Sequence, residues 1–331
     1  MENTNDFIIK KSDSHYKFDT DKFGFPTFTK KNIEFLNAIL QYDSNYRSSS
    51  GEYQLHKNDQ NYANTIKEYE ESYAWILQNK EIDFFNSFKK LYPNLNEKDN
   101  KDKLGKPIDA LYKVIESIDK INSTHLAAEG TIKKKNKGRE IVAERIREIG
   151  GEHGEKLKER LKSKDKDEKA KLVKEIATAV ETKLNFSFAT KFCAYVSTHA
   201  LNDPDNFCIY DNVVQSVLPY YAKMYVDESI YEEKKYSELY KTVKSTKANE
   251  KKPHYESLVE KKYRNKDGYK GYMELIDDII EGIETKTGEK ITYQDFDHMV
   301  WYYFKGSKGR VRDAMAALDW DLKNLPEKGK K

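Results

Sequence analysis

Lys191 and Asp211 are the residues of this chain whose types and spacing could do chemistry, an amine and a carboxylate about twenty positions apart on either side of a chain reversal. An amine can act as a nucleophile, and a carboxylate can hold developing positive charge. Phe188, Phe192, Val196 and His199 recur at i, i+4, i+8 and i+11, with Cys193 and Ala200 beside them, so a helix with one buried stripe is expected here. Ser187, Lys191, Tyr195 and Thr198 share another face of it. Asn202-Asp203-Pro204-Asp205-Asn206 ends the helix, because Pro204 cannot donate and Asn and Asp bond locally to backbone. Phe207-Cys208-Ile209-Tyr210 is a short extended apolar run, and Asp211 precedes a second helical pattern as its N-cap. Ten helical residues from Lys191 to Leu201 cover roughly 15 Å, and ten extended residues reach about 33 Å, so the return can bring Asp211 back beside Lys191.

The elements around this stretch read as helices. Asn32–Tyr42, Tyr62–Tyr92 and the run carrying Ile108, Leu111, Val114, Ile115 and Ile118 have apolar residues at helical spacing. Arg139–Glu175 is dominated by Lys, Glu and Arg around sparse Ile and Leu, with breaks at Gly150, Gly151 and Gly154, and predicts solvated helices. Val213–Val226 is helical with Pro219 interrupting it, and Tyr231–Lys252 reads as a charged helix. Tyr255–Tyr263 and Tyr272–Ile283 continue the pattern, Thr285–Glu289 is a turn, and Thr292 caps a last helix over Tyr293–Lys305. The expectation is an all-α protein with an N-terminal helical region over 1–130, a charged segment over 131–170 and a helical core with a basic tail over 171–331.

The pairing of Thr190-Lys191 at a helix start with Asp211 after a short apolar run resembles the helix-hairpin-helix DNA glycosylases, most closely their 8-oxoguanine DNA glycosylase branch. The resemblance covers about thirty residues and extends more weakly to the helix that includes Asp297–Lys305. It implies a glycosylase-like helical core and a DNA base-excision glycosylase, with or without Schiff-base lyase activity, acting on a damaged or modified base. Excision requires the nucleotide to be flipped out of the stack. Lys191 would attack C1′ of the sugar, and Asp211 would stay ionised, activate the nucleophile and stabilise positive charge on the sugar. Tyr302 or Tyr303 would stack on the flipped base, with Trp301 and Phe304 in the core. The family's hairpin before the lysine is glycine-rich, whereas this chain has Asn185-Phe186-Ser187-Phe188-Ala189 and lacks that phosphate clamp.

Of 331 residues, 37% are hydrophobic and 35% charged, so the core must draw on the 24 Tyr and 15 Phe. A net charge of +3 is too small for a protein that coats nucleic acid all over, and any basic surface must be local. Lys133, Lys134, Lys135, Lys137 and Arg139 form the most basic run, with Lys308, Arg310 and Arg312 in the tail, and both are candidate contacts to DNA phosphates. On charge alone a mobile surface loop accounts for the first better than a phosphate-contacting arm does. The two cysteines, Cys193 and Cys208, are too few for a four-thiolate cluster or an all-cysteine zinc site, and neither metal nor cofactor is expected. His199 lies on the apolar stripe and reads as a core histidine. The first residues lack an apolar signal region and no stretch approaches eighteen apolar residues, so a cytoplasmic protein without a membrane partner is expected. Two readings other than an enzyme stay open: a catalytically silent nucleic-acid-binding or host-defence protein on the same fold, and an interaction scaffold built on the charged middle helices.

Overall fold

The computed structural model describes residues 19–22, 25–34, 110–122, 126, 137–151, 154–180, 184–243, 254–264 and 268–304. The expected helix over Tyr62–Tyr92, residues 35–42 of the one expected over Asn32–Tyr42, and Lys133, Lys134, Lys135, Lys308, Arg310 and Arg312 lie outside those residues. The described residues are mostly helical, with one two-stranded antiparallel ladder that the all-α expectation did not include. The chain divides into two units, each considered separately below.

One unit, spanning 64–210 and 266–273, carries Lys191. It holds α1 (Ala110–Asn122), α2 (Lys137–Gly150), α3 (Glu155–Lys162), α4 (Lys166–Ala177), α5 (Phe186–Leu201) and the first turns of α9 (Gly268–Thr287). The stripe on α5 is buried as its spacing predicts, with Phe188, Phe192, Cys193 and Val196 inside, whereas Ala200 is exposed. It packs on α4, α1 and α3, which present Leu172, Val173 and Ile176, then Leu111 and Ile115, then Leu157 and Leu161. The sparse apolar residues of the charged segment are therefore core residues, and α2, α3 and α4 are packed helices rather than the solvated ones expected. Turning between α2 and α3 uses Gly151 and Gly154, both left-handed at φ 71° and 73°, where a side chain would be strained. Arg160 on α3 makes a two-pronged contact with Glu175 on α4, at 2.8 and 3.3 Å.

Burial also settles Arg139. Its Nε donates to Asp119 on α1 at 2.7 Å and its Nη1 to Glu116 at 3.3 Å, while the other Asp119 oxygen accepts the Leu126 amide at 2.8 Å. A guanidinium enclosed among these partners holds α1 to α2 and is not available to a phosphate.

The other unit comprises 1–63, 211–265 and 274–331. Its centre is α6 (Asn212–Tyr225), against which Phe25 and Phe28 pack: the Phe25 ring stacks on Tyr220 at 3.6 Å, and Phe28 lies between Tyr221 and Phe296 of α10 (Tyr293–Phe304). Tyr221 donates its hydroxyl to Pro26 C=O at 3.1 Å, so Phe25 and Phe28 are part of this core. Asn32 fastens the same segment by donating to Asp19 C=O and Thr27 C=O and accepting from the Asp19 amide. Gly282 on α9 lies where a β-carbon would meet Tyr225 C=O at 2.1 Å, so only glycine permits this approach to the end of α6.

Pro219 does not interrupt α6, which continues to Tyr225. Proline has no amide to offer the carbonyl four residues earlier. That carbonyl belongs to Gln215, and it accepts the Ser257 hydroxyl at 2.8 Å. Ser257 closes β2 (His254–Ser257), which pairs with β1 (Tyr240–Val243) in the register Tyr240 with Ser257 and Val243 with His254. The long charged helix expected over Tyr231–Lys252 is therefore corrected to α7 (Glu228–Glu233), a 3-10 turn over Tyr236–Leu239 and β1. Lys235, left-handed at φ 52°, ends the helical path, and Tyr240-Lys241-Thr242-Val243 suits a strand. Tyr255 likewise belongs to β2, with only α8 (Val259–Tyr263) helical beyond it. Thr285 and Thr287 extend α9, which ends before Gly288 at φ 75°. Thr292 and Asp295 cap α10 reciprocally, Asp295 accepting from the Thr292 amide and hydroxyl and donating its own amide to the Thr292 hydroxyl.

Candidate active site around Lys191

Lys191 lies in the second turn of α5 and is 4% exposed. Its amine donates to the Ser187 hydroxyl one turn earlier at 3.4 Å, the i, i+4 spacing that places both on one face. A lysine at this depth differs from the solvated lysine of an ordinary helix face. Two of the other residues on that face, Tyr195 and Thr198, are half-buried.

α5 ends where expected. Asn202 takes the left-handed conformation at φ 55°, and the Asp203 amide turns back to Ser197 C=O at 2.9 Å. The reversing loop is pinned to the end of α3: Asn206 donates its side-chain amide to Leu161 C=O, and Lys164 pairs with Asp203 at 2.6 Å. Beyond it the run 207–210 returns to α5, where the Tyr210 amide donates to the Thr190 hydroxyl at 3.0 Å. Thr190 in turn donates towards Phe186 C=O at 3.1 Å. The return from Leu201 thus ends against the residue next to Lys191, at the residue next to Asp211.

Asp211 opens the other unit as the N-cap of α6, where one carboxylate oxygen accepts the Val213 and Val214 amides at 2.8 and 2.9 Å. The carboxylate thus satisfies two of the amides that the helix start leaves open. Its residue is 5% exposed.

Tyr302 and Tyr303 are in the last turn of α10, and Trp301 before them is buried; the side chains of Tyr302, Tyr303, Lys137 and His199 lie outside the described residues. Cys193 and Cys208 are both buried and reduced, and burial pushes the Cys193 thiol far above its usual range, so it is not a nucleophile at ordinary pH. Among the described residues no group of three or more His, Cys, Asp and Glu could hold a metal ion, and no helix is long and apolar enough to cross a membrane.

Two residues that hold the return run gave no signal in the sequence. Tyr269 donates its hydroxyl to Cys208 C=O at 2.7 Å and accepts the Cys208 thiol at 3.7 Å, and Tyr272 donates to Ile209 C=O at 2.7 Å. Their i, i+3 spacing shows a shared helix face, but the partner is some sixty positions away. Compared with family models, with curated proteins and with solved structures, the chain gives no match in any of the three.

Proposed function

We propose that this chain is a DNA base-excision glycosylase in which Lys191 is the nucleophile and Asp211 the charge-stabilising carboxylate. The observation that carries the reading is the burial of Lys191 beside a return run whose last amide is fixed to Thr190. In this reaction the amine bonds to C1′, the damaged base leaves with the electrons of its glycosidic bond, and opening of the sugar ring gives an iminium on Lys191. Asp211, ionised at a helix N-terminus, opposes the positive charge that develops on the sugar. Tyr302 and Tyr303 are assigned to the flipped base, and Lys137, Lys308, Arg310 and Arg312 with Lys133, Lys134 and Lys135 to the backbone.

Borohydride reduction in the presence of duplexes carrying a panel of oxidised, alkylated and deaminated bases tests the reading. A covalent protein–DNA adduct on at least one duplex is expected; no adduct and no excision across the panel sinks it. Phe186, Phe188 and Ala189 are buried in the first turn of α5, at the stretch where the family has glycines, and this favours a second reading, a silent nucleic-acid-binding protein, which predicts binding without adduct. Binding in either case depends on local basic charge. Replacing Lys133, Lys134 and Lys135 with glutamine is expected to flatten log Kd against log salt by about two to three units of slope, since each phosphate contact contributes about 0.9. An unchanged slope assigns the run to solvent.

A further inference from the structure

A buried extended segment that joins no sheet must find partners for its amides and carbonyls elsewhere, because an unsatisfied backbone group costs as much as a lost hydrogen bond. Residues 207–210 are such a segment: all four are buried and none belongs to a strand. Three of its backbone groups go to side chains. The Tyr210 amide takes the Thr190 hydroxyl on α5, and Cys208 and Ile209 C=O take the Tyr269 and Tyr272 hydroxyls on α9. The rings add packing, Tyr210 meeting Tyr272 edge-on at 5.0 Å and Phe186 at 5.8 Å. Thr190, Tyr269 and Tyr272 are themselves buried, so water does not compete for these bonds.

We propose that Thr190, Tyr269 and Tyr272 are positioning residues that fix the run 207–210 beside Lys191 and thereby support the reaction of Lys191. The proposal rests on the glycosylase reading for its chemical consequence, and on geometry alone for the clamp. Thr190 is decisive among the three, because its hydroxyl meets the run one residue from Asp211 and its own backbone is one residue from Lys191. A slip of the run by one residue would offer Thr190 the wrong amide. Tyr269 stays a donor at ordinary pH, since burial, with Cys208 and Cys193 close by, holds its phenol well above the usual range.

Thr190→Val keeps the shape and removes the hydroxyl; Tyr269→Phe and Tyr272→Phe each remove one oxygen. The first measurement is native-state alkylation of Cys208 in full-length Cys193→Ala protein. Each variant is expected to raise the alkylation rate by about tenfold, as an amide or carbonyl left without its partner makes local opening easier. The second is single-turnover adduct formation at saturating DNA. Thr190→Val is expected to lower that rate by about ten- to a hundredfold with Kd for DNA unchanged, and Thr190→Ser to restore it, because a misplaced group costs rate and not binding. Alkylation rates equal to the unmodified protein's in all three variants overturn the clamp. Faster alkylation with an unchanged adduct rate overturns the positioning role. If the unmodified protein forms no adduct at all, the glycosylase reading has failed, the positioning role falls with it, and the alkylation rates still decide the clamp.

Discussion

Lys191→Gln is expected to abolish Schiff-base trapping altogether while DNA binding stays within about twofold, because the amine bonds to sugar carbon only during reaction. Glutamine approximates the length of the side chain, and it can still bond to Ser187 one turn earlier, so α5 keeps its packing. Asp211→Asn separates the second role. Asparagine is as good an N-cap as aspartate, so stability should fall by at most about 1 kcal/mol as the charge at the helix N-terminus is lost. The rate should fall by about two to three orders of magnitude, the scale seen when a preorganised charge partner is removed. Circular-dichroism melts and single-turnover kinetics on the same preparations distinguish the two effects. Near-normal excision by Asp211→Asn would leave Asp211 as a cap alone, and trapping by Lys191→Gln would move the nucleophile elsewhere in the chain.

The largest effect on stability is expected at Asp119→Ala. The Asp119 and Arg139 side chains are 3% and 8% exposed, and removing one partner of a buried pair costs about 3–5 kcal/mol because the other charge is stranded. Glu116 remains within 3.3 Å of Arg139, and the Leu126 amide loses its acceptor, so these two changes pull in opposite directions. The double change Asp119→Leu with Arg139→Met should be less destabilised than Asp119→Ala, since it strands no buried guanidinium and the Glu116 carboxylate it frees is 20% exposed. Denaturant midpoints at constant m measure both. A loss below about 0.5 kcal/mol for Asp119→Ala would mean that the pair is solvated in solution.

Much of the site's scaffold was legible because it is local. The stripe of Phe188, Phe192 and Val196, the reversal at Asn202 and the cap at Asp211 each depend on residues a few positions apart, and each is found as the spacing implies. Arg139 was misread for the opposite reason. It sits in a run of lysines, and only its acidic partners on α1, twenty and more positions upstream, withdraw it from the surface. Tyr269 and Tyr272 escaped notice because a tyrosine on a helix looks like core until its hydroxyl is seen to meet a carbonyl. The helix expected over Tyr231–Lys252 failed where strand-forming residues and a left-handed Lys235 outweighed a permissive charge pattern. Charge periodicity describes which face meets water and says little about the backbone beneath it.

The vacancy that Pro219 leaves in the ladder of α6 ties two distant positions into one hereditary unit. With proline present, Ser257 supplies the hydrogen that the Gln215 carbonyl would otherwise lack, and the hairpin gains its anchorage on the helix. With an ordinary residue at 219, an amide would return to that carbonyl and the serine would no longer be needed to satisfy it. Changes at the two sites therefore cannot be tallied separately, and selection acting on the helix acts at the same time on how the hairpin is moored.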